Sequence, residues 1–167
     1  MDRKYLTCAE TAQLVRAALR EAFPEVRFSV RSKVYAGGAS INITYQGFDG
    51  YEPLRSCYCA AGPTVREYDP NRCATCGYIG RLEPRYRPGM PRREAVEAVA
   101  HTFEGSGFDG MTDLKYPVTR YLDAHGRVVG SQSPGSWGSI SAWDDPLPAG
   151  AVPVRFGADY IFVEAGR

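Results

Sequence analysis

The sequence predicts an α+β fold: a small antiparallel sheet, made of a β-hairpin and the C-terminal strand, covered by two helices, with a zinc-binding loop module inserted. Three observations carry this expectation. Apolar residues at helical spacing open the chain, strict two-residue alternation follows them, and four of the five cysteines lie between Cys57 and Cys76.

Thr7-Cys8-Ala9-Glu10 reads as a capping box, in which Thr7 accepts from a first-turn amide while Glu10 reaches back. Leu14, Val15, Ala18, Leu19, Ala22 and Phe23 then form the apolar stripe of the first helix, and Pro24 stops it. Val26, Phe28 and Val30 alternate with Arg27, Ser29 and Arg31. After Tyr35-Ala36-Gly37-Gly38 the alternation resumes, with Ala39, Ile41, Ile43 and Tyr45 inward and Ser40, Asn42, Thr44 and Gln46 outward. This is a hairpin with one buried face, the glycine pair making its turn. Pro91 suits the first turn of a second helix whose stripe is Val96, Val99, Ala100 and Phe103, ended by Gly105 or Gly107. Phe108 to Met111 reads as a tight turn, Leu114–Val118 as a short strand, and Asp159–Val163 as a closing strand buried on nearly both faces.

Two segments break these patterns. Residues 47–90 are rich in Tyr, Arg, Pro and Gly and have too few aliphatic side chains for a core of their own, so a metal is a sensible organiser there. Residues 123–153 read as irregular, with Gly130 to Trp137 and Asp144 to Pro148 as loop chemistry. Both are insertions within one domain, 1–167, a length that buries a sufficient core without help from metal. A formal net charge of +1 argues against an acidic DNA mimic and against strong non-specific nucleic-acid binding driven by global charge. No stretch approaches membrane-spanning length, and Met1–Glu10 has no apolar run resembling a signal peptide, which with the thiol pairs points to the cytoplasm.

Cys57-Tyr58-Cys59 and Cys73-Ala74-Thr75-Cys76-Gly77 are spaced as two pairs of thiolate ligands, since two ligands from one tight turn can take adjacent corners of a zinc tetrahedron. The first pair has one intervening residue where two are usual. Cys57, Cys59, Cys73 and Cys76 would saturate the ion, so the zinc would be structural. Two disulfides, a redox pair at Cys73 and Cys76, and four uninvolved thiols are the competing readings.

Arg81, Arg85, Arg87, Arg92 and Arg93, interleaved with Tyr78 and Tyr86, form a candidate surface for nucleic acid or an acidic partner, or else a solvated linker. Arg27, Arg31 and Lys33 opposite Ser40, Asn42 and Thr44, with Tyr35 for stacking, could follow a phosphate backbone; such a row is otherwise the solvated face of a sheet. Trp137 and Trp143 either pin a long loop or form an exposed contact site. Catalytic constellations are thin. Cys8, in the first turn of the first helix, reads as a core thiol, with nothing to bring His101 or His125 beside it. Asp109 and Asp113 could pair, but Asp109 in Phe-Asp-Gly is more simply a turn residue. No catalytic residue is assigned.

Glu10 to Arg16, Ala22-Phe23-Pro24, Phe28 to Ser32 and Gly37 to Ile41 together resemble the opening of a large polyvalent protein-associated domain family, the twenty-ninth of the numbered set. So do Phe103 to Met111 with Asp113 and Tyr116, and Arg155 to Phe162. The resemblance implies a small α+β domain of bacteriophages, plasmids and other mobile elements, found alone or fused into very large proteins thought to protect the incoming element. It implies no catalytic residues and says nothing about residues 47–90 or 123–153. On this basis the chain reads as a non-enzymatic accessory protein that binds a host protein or complex, a defence complex being the target that analogy suggests. A zinc-stabilised nucleic-acid-binding module is the alternative. An enzyme acting on a nucleotide would need a pocket of convergent titratable groups.

Overall fold

The computed structural model describes residues 4–53, 65–66, 69–73, 82–110, 114–134, 140–141 and 149–166. The N-terminal elements are β1 (Lys4–Leu6), α1 (Cys8–Ala22), β2 (Phe28–Tyr35) and β3 (Gly38–Gln46). Next come β4 (Phe48–Pro53), β5 (Val65–Arg66), β6 (Asp69–Cys73) and β7 (Leu82–Tyr86). α2 (Arg93–Ala100) runs into a 3-10 turn at His101–Phe103, followed by β8 (Ser106–Asp109), β9 (Leu114–Pro117) and β10 (Thr119–Leu122). The chain closes with β11 (Val128–Pro134), β12 (Ile140–Ser141), β13 (Val152–Phe156) and β14 (Tyr160–Gly166).

The capping box forms as expected. Thr7 Oγ1 accepts from Glu10 N at 3.3 Å, and Glu10 Oε2 accepts from Thr7 N at 2.8 Å. Phe23 N donates to Leu19 O at 2.9 Å, and Pro24 follows. The buried line of α1 is Cys8, Thr11, Ala12, Val15 and Leu19. It lies to one side of the predicted stripe, because these positions superpose along the helix at 3.6 residues per turn, whereas Leu14 falls on their flank and Ala22 is exposed. The second helix begins at Arg93, two residues after Pro91, and buries Val96 and Ala100.

β2 and β3 pair antiparallel from Phe28↔Tyr45 to Tyr35↔Gly38, without a break in register. The turn is therefore Ala36-Gly37 and not the glycine pair: Gly37 takes φ 88°, while Gly38 already pairs. Ala39, Ile41, Ile43 and Tyr45 are buried as the alternation predicts. Ser40 is buried too, and its carbonyl accepts from Cys8 Sγ at 3.5 Å. β14 joins this hairpin, giving the order β14-β3-β2. The predicted combination of hairpin and C-terminal strand thus exists. β14, however, is not buried on both faces: Ile161 is buried, while Tyr160 and Phe162 are exposed.

A five-stranded sheet, β1-β13-β10-β11-β12, goes beyond the single small sheet that the sequence predicts. β1 runs parallel to β13, and β10 pairs antiparallel with both β13 and β11. Val128–Pro134, expected to be irregular, is a strand because its ladder to Thr119–Leu122 supplies the order that its Gly- and Ser-rich sequence does not advertise. Leu19, Ile41, Ile43, Val15, Val96, Val154 and Thr11 are the largest fully buried side chains, so the core joins α1, β3, α2 and β13. Phe103 and Phe156 meet there at 5.5 Å between ring centroids.

The chain divides into two compact units, residues 1–45 with 93–164 and residues 46–92 with 165–167. In the second unit β4 pairs with β7 and β5 with β6, where the sequence suggests only loop. Phe48 stacks edge-on against Tyr86 at 6.4 Å, and Arg87 N donates to Gly47 O at 2.8 Å.

Candidate functional site

Within the first unit, three separate stretches of sequence converge on Asp159. Its Oδ2 accepts from Ala39 N at 3.0 Å and pairs with Lys115 Nζ at 2.8 Å; its Oδ1 accepts from Ser106 Oγ at 2.8 Å. Asp159 N also donates to Ala39 O at 2.8 Å. One residue thus ties together β3, β8, β9 and the approach to β14. Burial alone would raise the carboxyl pKa, but Lys115, the Ser106 hydroxyl and the Ala39 amide outweigh it and hold the group below the usual range. Glycine is required beside it: a Cβ on Gly38 would lie 2.5 Å from Asp159 Oδ2, and one on Gly105 would run into the Phe156 carbonyl. A carboxylate so satisfied, with its proton affinity lowered, is a poor general base. It is well suited to fixing the surface above it.

That surface is aromatic. Phe108 is the cross-strand partner of Lys115, so the two side chains share a face. Lys115 Nζ lies 5.1 Å from the Tyr160 ring centroid, and Tyr160 stacks on Phe162 at 6.2 Å. Phe108 and Phe162 are each 56% exposed and Tyr160 38%. Phe108, Lys115, Tyr160 and Phe162 therefore form a continuous row anchored by the Asp159 ion pair.

Behind the row, Glu104 Oε1 accepts from Ile161 N at 2.9 Å, and His101 Nε2 lies 3.1 Å from Ile161 O. A carbonyl can only accept, so Nε2 carries the hydrogen in that contact. Arg120 Nε donates to Glu104 O at 3.1 Å and its Nη2 to His101 O at 3.3 Å, closing the C-terminal carbonyls of the α2 segment with a cation.

Arg85 pairs with Asp49 at 3.4 Å, both exposed, and exposed Arg93 with half-buried Glu97 at 3.3 Å; Arg87 and Arg92 are exposed, and Tyr86 packs on Phe48. Cys73 ends β6. Cys57, Cys59, Cys76, Tyr78, Arg81, Trp137, Trp143 and Asp113 lie outside the described residues. Among the described residues no group of three or more His, Cys, Asp or Glu side chains is placed to hold a metal ion. Arg27, Arg31 and Lys33 are exposed, as the alternation predicts; Arg31 stands opposite Asn42, and Lys33 opposite Ser40, which is buried and not outward. Cys8 is buried, and burial is the main cause raising its thiol pKa, which makes it the core thiol expected. Asp159, Ser106 and Lys115 carry no role in the sequence reading. Ser106 and Asp159 stand inside motif blocks, Ser106 where the sequence reads as the end of the second helix and Asp159 at the start of the closing strand.

The first unit is thus an α+β domain whose helix, hairpin and closing strand are locked at one carboxylate. Residues 6–51 match the family model of Large polyvalent protein associated domain 29, the family that the opening of the chain resembles, and that domain points to a protein associated with mobile elements. No curated protein and no solved structure matches the chain. Among the described residues no helix is long and apolar enough to cross a membrane.

Proposed function

We propose that this chain is a non-enzymatic accessory protein of a mobile element that acts by binding a host protein, a component of a defence complex being the target suggested by analogy, through the row Phe108–Lys115–Tyr160–Phe162. The observation that carries the reading is the convergence on Asp159: stretches far apart in sequence meet to hold exposed aromatic rings in fixed positions. Rigid, partly exposed aromatic side chains beside a cation are the residue types that dominate protein–protein contacts. Trp137, Trp143 and the arginines at 81, 85, 87, 92 and 93 are further proposed contacts. Cys57, Cys59, Cys73 and Cys76 are proposed to hold a structural zinc ion that orders the segment around them.

A second reading, nucleic-acid binding, is favoured by the register that sets Arg31 and Lys33 beside Asn42 on one hairpin face. One experiment separates the two. A photo-crosslinking amino acid is placed at Phe162, or at exposed Arg20 as a control, in cells that carry the element. A discrete protein adduct at position 162, absent at position 20 and lost with Phe108→Ala, is the expected result. Adducts that disappear on nuclease treatment would favour the nucleic-acid reading, and no site-dependent adduct would sink the proposal.

A further inference from the structure

We infer that the outer edge of β2, from Ser32 to Tyr35, is a docking edge that takes an extended partner segment alternating acidic and apolar residues as an added strand. This goes beyond the aromatic row and involves different residues. In the order β14-β3-β2 the two outer strands are treated differently. On β14, both main-chain groups of Ile161 are closed by the side chains of Glu104 and His101. On β2, Arg16 Nη2 donates to Val30 O at 2.6 Å. A two-residue turn leaves Tyr35 and Gly38 as the hydrogen-bonded pair that closes it, so the alternation of the antiparallel ladder turns the Val30 main chain away from β3, where Arg16 meets it. The two-residue repeat of a strand then aims the main-chain groups of Ser32 and Val34 the same way. Every residue from Arg31 to Tyr35 is exposed, Val34 to 76%.

Edges are commonly blunted by short strands, bulges or proline. β2 is eight residues long, contains no proline and stays in register up to the turn. Its guard is charge. Arg31 and Lys33 would lie near their own counterparts if two copies paired edge to edge antiparallel, which disfavours a second copy as the occupant. The same charges attract an acidic strand. Side chains alternate across the sheet, so Arg31 and Lys33 share one face and Val34 takes the other. A matching segment would present Asp or Glu to the first face and an apolar side chain to the second, while main-chain hydrogen bonds supply affinity.

The test uses the full chain and a fluorescein-labelled peptide of alternating Glu and Val, followed by anisotropy. Saturable binding is expected. Arg31→Glu with Lys33→Glu should abolish it and confer binding of the alternating Lys–Val peptide. Val34→Pro removes one outward N–H while leaving the ladder to β3 intact, as edge strands allow. It should weaken binding roughly three- to tenfold, the worth of one hydrogen bond. Should that variant fail to fold, two N-methylated peptides probe the same bonds on the unaltered protein, one methylated on the amides facing β2 and one on those facing away. Only the first should lose binding. Equal binding of the two N-methylated peptides, no saturable binding up to about 1 mM, or self-association of the chain that the peptide does not compete with would each overturn the inference.

Discussion

Asp159 shows how much one side chain can organise when its partners come from distant sequence. Asparagine at this position keeps an acceptor oxygen but loses the charge that holds Lys115, and its amide nitrogen cannot accept. Asp159→Asn is therefore expected to cost about 1–2 kcal/mol at pH 7, from the loss of a charge-assisted hydrogen bond and of one acceptor. The pH dependence has a definite sign. The folded carboxyl is held below its unfolded value of about 3.9, so its contribution is complete above that value. It is lost as pH falls through the lower folded value. Urea unfolding of wild type and variant from pH 7 to pH 3 should show a constant gap that narrows below about pH 4. A gap that persists unchanged into acid would mean that Asp159 acts by shape and not by charge. None of this was legible locally: Ala39 and Asp159 are 120 residues apart, and no periodicity links them.

At the scale of elements, local physics was readable wherever it sufficed. The capping box was visible as Thr7 and Glu10, and it forms. Thr7→Ala removes the hydroxyl that accepts from Glu10 N and should cost about 1 kcal/mol, read as a lower thermal midpoint with unchanged m-value in urea. A change within error would mean that Cys8 and Thr11, buried at the same helix end, hold the terminus by packing alone. The hairpin was legible as to which face is buried, because the two-residue alternation sets it, but not as to register, since the turn falls one residue earlier than the glycine pair suggested. The larger sheet was not. β11 contains Gly130, Ser131, Ser133 and Pro134, which read as loop, and is ordered by its neighbours. β1 finds its parallel partner in β13 near the other end of the chain, a pairing that no local window contains. The closing strand was recognised, but its continuous apolar run concealed that only Ile161 is buried while Tyr160 and Phe162 face outward.

For the molecule as a whole, the division into two compact units separates two kinds of stability. Residues 1–45 and 93–164 contain the described apolar core, with Val15, Leu19, Ile41, Ile43, Val96 and Val154 fully buried. Residues 46–92, which include the four paired cysteines, have few aliphatic side chains from which to build a core. If those cysteines bind zinc, the metal's binding free energy is the folding free energy of that segment and contributes little to the first unit. Replacing Cys73 and Cys76 with serine should then abolish a stoichiometry of about one zinc per chain. It should also speed amide exchange between residues 46 and 92 while leaving the slow-exchanging amides of α1 and β3 protected. A chelator added to the unaltered protein should reproduce both effects and release four thiols to titration. Zinc content unchanged by the double substitution would remove the metal assignment. Loss of protection in α1 and β3 together with the cysteine segment would mean that the two units fold as one cooperative body, so that the metal supports the platform carrying Asp159 as well.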